Sequence, residues 1–312
     1  MLPVPAAVYS RAVILVVGSL NLDIVLPVPH HPRPGETVLG GEHARHPGGK
    51  GANQAVAAAR LGASVAMLGR VGEDDEGRLL INALREAGVA TDHVLVTGEA
   101  NSGIALITVD DEGENAIVVS PGANSRLTPA DVESAAELIK GAAVVLLQLE
   151  VPLSTVERAI QLARGTVILN PAPACELPGA LLERVDVLVP NRGELELLAH
   201  GERDAVTGAR GLGVEQVVVT MGAEGALVVA GDGVESIAGH PVGAVDTTAA
   251  GDSFCGALAA GLEEGLDLVA GARRANAAAA LSTTRRGAQP SLPTRAELDD
   301  FLAARPGERG SC

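Results

Sequence analysis

The run Val245–Leu258, Val-Asp-Thr-Thr-Ala-Ala-Gly-Asp-Ser-Phe-Cys-Gly-Ala-Leu, carries the residues best suited to chemistry. Small residues lead into a helix, and a helix start offers unpaired N–H groups and the positive end of a dipole. Ala249, Ala250 and Gly251 let a ligand approach the backbone closely, so this turn suits a phosphate. Asp252 reads two ways from local pattern alone, as a helix cap or as a general base beside that phosphate.

Other segments supply partners. Asn21 and Asp23 alternate along an extended stretch, so their side chains face one way. Read alone, they are as fitting for a solvated strand end. Glu150 ends the apolar strand Ala142–Leu149, and ligands of open parallel sheets sit at the C-terminal ends of strands. Gly48-Gly49-Lys50-Gly51 is not a Walker loop, because Gly51 stands where Ser or Thr is needed for magnesium. A turn carrying Lys50 and Asn53 can still present several donors to hydroxyls. Asn191 and Glu194 follow the strand Val185–Val189 at a spacing that puts both on one face of a helix's first turn. That suits Mg2+, which keeps several waters and needs few protein ligands, and suits a capping box equally. Thr220-Met221-Gly222-Ala223-Glu224-Gly225 follows another strand, and its glycines permit close approach to phosphate or ribose.

Composition bounds the reading. The 312 residues are 47% hydrophobic with a net charge of −16, which argues against disorder and against a basic nucleic-acid surface. Apolar runs fall short of the ~20 residues of a membrane span, and the N-terminus fits a signal peptide poorly. Three dispersed cysteines, Cys175, Cys255 and Cys312, form no disulfide or metal framework, so a cytoplasmic setting is expected. With no Trp, one Tyr and two Phe, a nucleotide base must lie against aliphatic walls.

The elements that would position these residues alternate as βα units, predicting a doubly wound α/β fold with a mainly parallel sheet flanked by helices. Strands are expected at Ala12–Val17, Ser64–Leu68, Ala142–Leu149, Thr166–Leu169, Val185–Val189 and Val217–Val219, with a hairpin over Gly225–Val229 and Gly233–Ile237. Helices are expected at Ala52–Leu61, Glu76–Ala87, Ser154–Ala163, Glu194–Ala199, Gly251–Gly261, Leu268–Leu281 and Thr294–Ala303. The proline-rich stretch Asp23–Gly41, with strand-like residues at Glu36–Gly40, suits an edge hairpin or small separate sheet. That sheet forms a β lid over 23–45, joined by strands in 103–120. Met1–Ser10 and Pro306–Cys312 read as frayed ends of a single domain spanning 1–312.

The chain resembles the ribokinase-like carbohydrate kinase family. Asp-Thr-Thr-Ala-Ala-Gly-Asp-Ser-Phe-Cys-Gly-Ala-Leu is similar to its C-terminal signature. Further motifs follow in order: Gly18–Asp23, Pro34–Thr37, His46–Gln54, Gln148–Glu150, Asn170–Ala174, Pro190–Glu194, Thr220–Gly225 and Arg286–Ser291. The resemblance implies a sugar site formed by Asn21, Leu22, Asp23, Gly49, Lys50, Gly51, Ala52, Asn53 and Glu150, with Asp252 as base. It implies ATP bound by Asn191, Glu194, Thr220–Gly225, Gly251, Asp252 and Asn276, with Mg2+ held near Asn191 and Glu194. It implies a K+ site at Asp246, Thr248, Ser282, Arg285, Gly287 and Ser291, in part through backbone oxygens.

The reaction so implied is ATP-dependent phosphorylation of D-ribose at its 5-hydroxyl, giving ribose 5-phosphate and ADP, in a homodimer paired through its lids. Kinases for 2-deoxyribose, another furanose or a nucleoside stand as alternatives, and a non-catalytic sugar or nucleotide sensor as the remotest.

Overall fold

The computed structural model describes residues 13–305; the expected frayed ends at Met1–Ser10 and Pro306–Cys312 lie outside that range. Strand β1 (Ile14–Val17) is apolar throughout and wholly buried. Its alternation sends Ile14 and Val16 into one core and Leu15 and Val17 into a second core across the sheet. This is why a run without polar alternation forms a strand here: both faces are covered by helices.

Strands β2 (Asn21–Pro27) and β3 (Ala44–Gly48) leave the main sheet, and α1 (Lys50–Arg60) returns to it. The chain continues through β4 (Val65–Gly72), α2 (Asp75–Glu86) and β5 (Ala90–Thr97). Then come β6 (Gly103–Val109), β7 (Asn115–Ser120), α3 (Pro129–Ser134) and α4 (Ala136–Gly141). The second half begins with β8 (Val144–Leu147), α5 (Leu153–Leu162), β9 (Thr166–Leu169) and α6 (Gly179–Leu182). It proceeds through β10 (Val187–Leu188), α7 (Arg192–Leu198), α8 (Ala205–Gly211) and β11 (Gln216–Thr220). The hairpin β12 (Gly225–Ala230) and β13 (Gly233–Ala238) precedes α9 (Ala250–Glu263), α10 (Leu268–Ser282), α11 (Ala288–Ser291) and α12 (Arg295–Ala303).

The main sheet has the order β13-β12-β11-β10-β9-β8-β1-β4-β5, parallel except for the two antiparallel pairings of β12. The order reverses between β1 and β8, and such a switch point opens a crevice at the strand ends. A second sheet, β3-β2-β6-β7, stands apart from it. The strand expected at Glu36–Gly40 is not there. Residues 28–43 form no strand, and the antiparallel partner of β2 is β3, pairing Asn21 with Gly48 and Asp23 with His46. The prolines and glycines between them interrupt a ladder that the apolar residues alone suggested. Strand β5, absent from the sequence expectation, closes one edge of the main sheet.

Small residues set the spacing of the helices that matter most. A Cβ on Gly256 of α9 would lie 2.6 Å from both the Ala57 Cβ and the Gln54 carbonyl oxygen. The Ala-rich helix α1 therefore packs almost backbone to backbone on α9, bringing consecutive α1 side chains to the first turn of α9.

Candidate active site

Two groups of residues meet at the crevice. On the lid side, Glu150 follows the end of β8. Its Oε2 accepts from the Ser19 hydroxyl at 2.5 Å, the Lys50 backbone N–H at 3.0 Å and the Asn21 amide at 3.5 Å. One carboxylate oxygen thus joins the end of β1, the start of β2 and the start of α1. The Asn21 carbonyl oxygen accepts from Asn124 Nδ2 at 2.8 Å, and Asn124 also bonds the Leu20 backbone N–H and C=O. Those contacts fix the Asn21 amide, so its NH2 must face the crevice and Glu150.

Asp23 is buried against Gly48, where a Cβ would stand 2.1 Å from a carboxylate oxygen. Burial, and then the charges of Glu150 and Asp252, push its carboxyl up to about 7, against the opposing pull of Lys50. Leu22 between them is fully buried. Gly49 starts α1 at φ 90°, a conformation that favours glycine. Gly51 and Ala52 lie against Ser19: the Ala52 N–H bonds the Ser19 carbonyl at 2.9 Å, and a Cβ on Gly51 would be 2.6 Å from the Ser19 nitrogen. These two residues seat α1 on the strand end.

Asp252 lies in the first turn of α9, whose preceding residue, Ala249, has a left-handed φ of 59°. Its Oδ2 accepts from Asn53 Nδ2 at 2.9 Å and its Oδ1 from Gln54 Nε2 at 3.0 Å. No side chain caps α9, so Asp252 is not the cap that one reading of the sequence allowed. Burial raises its pKa, and the Glu150 charge adds to that, while Lys50 and the two amides hold it down. Lys50 is pushed down by burial, but Asp252, Glu150 and Glu194 outweigh this and keep the ammonium above its ordinary value.

Beyond Asp252 opens a cavity of about 560 Å³, a size suited to a cofactor or nucleotide. Lys50, Asn191, Glu194, Thr220, Asn276 and the turn Ala249–Asp252 all line it. Asn191 caps α7 by accepting from the Glu194 N–H at 2.8 Å, and Glu194 Oε2 accepts from the Asn191 N–H at 2.8 Å. The pair is therefore a full capping box whose carboxylate also faces the cavity; burial raises the Glu194 pKa despite the Asn191 bond. Among the described residues no cluster of three or more His, Cys, Asp or Glu could hold a metal. This donor set suits an ion bound mostly by phosphate and water.

Asn276 bonds the Ala238 carbonyl at 2.9 Å and so braces α10 against β13 at the cavity wall. Gly222, Ala223 and Gly225 also line the cavity. Met221 packs against the second core, and Glu224 pairs with Arg192 at the surface; neither lines the cavity.

Of the six positions expected around a monovalent cation, three join directly. Asp246 Oδ1 accepts from the Thr248 N–H at 2.9 Å and Oδ2 from the Gly287 N–H at 2.8 Å. Burial would raise the Asp246 pKa, but these bonds outweigh it and lower it. The Ser282 carbonyl accepts from the Arg285 N–H, while the Arg285 guanidinium is held aside by Glu297 at 2.7 Å. The Ser291 hydroxyl turns back to the Ala288 carbonyl.

Sequence reasoning assigned no role to Asn124, Gln54, Gln148, Asn170 or Ser19, although all but Asn124 stand within the quoted motifs. It also left the base-binding walls unnamed. His240, Pro241, Val242, Ala244, Ala279 and Ala280 line the cavity, aliphatic apart from His240. They come from the β13–α9 connection and from α10, which no local pattern links.

A carboxylate at a helix N-terminus, poised between a hydroxyl-reading pocket and a nucleotide-sized cavity on a doubly wound sheet, defines a phosphotransferase acting on an alcohol. Residues 11–295 match the pfkB family carbohydrate kinase profile. The chain is 42% identical over 302 residues to a ribokinase of Haemophilus influenzae, covering 94% of this chain and 99% of the relative. It is 38% identical over 301 residues to a deoxyribokinase of Salmonella typhi, covering 93% and 98%. The structure of an Arabidopsis thaliana ribokinase complexed with ribose and ATP aligns at a TM-score of 0.85 and 33% identity, covering 94% of this chain and 99% of that one. The chain belongs to the pfkB family of carbohydrate kinases.

Proposed function

We propose that the protein transfers the γ-phosphoryl group of ATP to the 5-hydroxyl of D-ribose, giving D-ribose 5-phosphate and ADP. The observation that carries this reading is the place of Asp252, held by two amides at the start of α9, with the sugar-side polar set behind it and the cavity in front. The ribose- and ATP-bound Arabidopsis relative and the ribokinase of Haemophilus support it.

In this reading Asn21, Asp23, Lys50, Asn53 and Glu150 bind the sugar hydroxyls, with Leu22, Gly49, Gly51 and Ala52 shaping the pocket. Asp252 orients the 5-hydroxyl and takes its proton. Burial lifts its pKa toward the working range of a general base. The Ala250 N–H bonds the Thr247 carbonyl at 3.2 Å, so the N–H groups of Ala249 and Gly251 are the ones that meet the charge developing on the transferring phosphoryl group. Lys50, whose charge is felt by Asp23, Glu150, Glu194 and Asp252, adds to that neutralisation. Thr220, Gly222, Ala223, Gly225 and Asn276 hold the nucleotide, with Met221 and Glu224 turned away from it. Mg2+, when bound by phosphates and water near Asn191 and Glu194, supplies charge neutralisation.

Asp246, Thr248, Ser282, Arg285, Gly287 and Ser291 would hold a monovalent cation such as K+. The Asp246 bonds knit the loop before α9 to the loop after α10, so an ion there would order the anion-binding turn. A second reading, 2-deoxyribose as acceptor, is favoured by the Salmonella relative. Lid pairing between two subunits is supported by exposed apolar residues on both faces of the small sheet, Leu106 with Val118 on one and Ile117 with Val119 on the other. A cytoplasmic setting rests on the free Cys175 and Cys255. Among the described residues no helix is long and apolar enough to cross a membrane.

The test is ADP release from ATP and Mg2+ with ribose, 2-deoxyribose, fructose or adenosine, each with and without K+. Ribose-dependent release raised by K+ is the expected result. Ribose turnover indifferent to K+ removes the cation assignment, and preference for 2-deoxyribose transfers the acceptor to the second reading.

A further inference from the structure

The polar interior behind the base contains more amides than sugar binding requires. Gln54 is fully buried, and both of its polar atoms are bonded, with no N–H left over. Nε2 donates to Asp252 Oδ1 at 3.0 Å and to Asn170 Oδ1 at 3.1 Å, and Oε1 accepts from Gln148 Nε2 at 2.6 Å. Asn170 in turn donates to the Val189 carbonyl at 2.9 Å, at the strand end that leads into Asn191. Its neighbour Asn53 differs: it donates to Asp252, but its buried Oδ1 has no protein partner. A side-chain amide has two donors and an acceptor oxygen. Asn53 thus keeps acceptor capacity for a ligand, whereas Gln54 has no donor left to touch one.

We propose that Gln54 is a positioning residue. It fixes the orientation of the Asp252 carboxylate and ties it, through Asn170, to the strand end that carries the phosphate-side residues. The polarity of the Gln54 amide is not free. Asn170 gives its NH2 to the Val189 carbonyl, so its Oδ1 faces Gln54, and the Gln54 NH2 must face Asn170 and Asp252. With Oδ1 held by Gln54 and Oδ2 by Asn53, rotating the carboxylate would break both bonds. A base misplaced by about 1 Å can cost on the order of 10²-fold in rate.

The inference rests on the reading of Asp252 as the base, and the experiment separates the two. Gln54→Met keeps the volume and removes both donors. It should lower kcat by roughly 10- to 100-fold while the sugar and ATP KM values stay within about threefold; the melting temperature should fall, because Asn170 Oδ1 and Gln148 Nε2 lose their buried partner. Loss of a hydrogen bond to the ionised form should also move the Asp252 titration upward, by about one unit, read by carboxylate-carbon NMR in the absence of substrates. Lys50, Glu150, Glu194, Asp23 and the Cys255 thiol also face Asp252, and all are retained in the variant.

Unchanged kcat and an unmoved Asp252 titration in folded Gln54→Met overturn the proposal. A parent enzyme without sugar-dependent turnover instead sinks the functional reading, and the NMR titration then still decides whether Gln54 holds the carboxylate. Should Gln54→Met not fold, the isosteric Gln54→Glu carries the test. Its protonated form can donate to Asp252 and its ionised form cannot, so kcat should fall at alkaline pH where the parent's does not. A pH profile parallel to the parent's overturns the proposal.

Discussion

The two halves of the crevice are built differently. On the lid side, side chains hold side chains: Asn124 fixes Asn21, Glu150 gathers Ser19, Asn21 and the Lys50 backbone, and Gln54 and Asn53 hold Asp252. On the nucleotide side the walls are glycines, alanines and loop backbone, with Asn276 and the Asn191–Glu194 capping box as the main ordered polar groups. A pocket whose polar groups are already paired in fixed directions rejects a ligand that leaves one unpaired. A wall of small residues and backbone discriminates less, because few of its contacts depend on one atom of the ligand. Sugar choice should therefore be strict and sensitive to single substitutions, and nucleotide binding more tolerant.

Asp252→Asn lies where the halves meet and should have the largest effect. It is expected to lower kcat by roughly 10²–10⁴ while the melting temperature stays near the parent's. Steady-state kinetics with a melting curve checks it, and near-parental turnover would remove Asp252 from the base role.

Gly103→Ala probes the lid side alone. Its Cβ would lie 2.2 Å from Asn21 Oδ1 and 2.4 Å from Asn124 Nδ2, so the pair must part. The sugar KM should rise by roughly 10- to 100-fold, as expected when a buried polar pair is broken, with the ATP KM unchanged. A parallel rise in both would mean that the two halves are not independent.

Asn276→Ala is the counterpart on the nucleotide side. It removes one bond to the Ala238 carbonyl, and the ATP KM should rise by only about 3- to 10-fold. A loss as large as that of Gly103→Ala would erase the contrast.

The smallest effect concerns stability. The Asp23 carboxyl is raised to about 7 by burial and by neighbouring carboxylates, so the fold favours its protonated form. The stability it contributes is present below the unfolded value near 3.8 and is lost as pH rises through about 7. Asp23→Asn should therefore raise Tm by roughly 2–6 °C at pH 8 and change it little only near pH 3.8, the unfolded value, while weakening sugar binding. An equal shift at both pH values would show that the carboxyl is not held protonated.

Much of the architecture was legible in the residues. The continuous apolar runs that become β1, β8 and β9 announced a sheet buried on both faces, and their alternation with helical segments announced parallel order. Asp252, Glu150 and the Asn191–Glu194 pair stood out because each directly follows a strand or opens a helix, which is a local signal. The segment Glu36–Gly40 misled because strand-like residues there have no ladder to join, whereas Ala44–Gly48, with its proline and glycine, pairs with β2. Strand β5 carries a weak local pattern and depends on its neighbours, whereas α3 had a local signal that the sequence expectation missed, the Thr128–Asp131 capping box with Pro129 at its start.

The amide network escaped notice for a related reason. Gln54 and Asp252 are separated by 198 positions, and Asn21 and Asn124 by 103. No window of sequence contains both members of either pair. Periodicity, turn chemistry and helix-start signals are local, so the chain's own residues settled the fold class, the phosphate-suited turn and the carboxylates beside it. Which amide faces which carboxylate depended on the α1–α9 approach that Gly256 permits and on the β1–β8 switch point. Both are products of long-range packing, in which close contact between distant segments assigns each hydrogen-bonding group its partner.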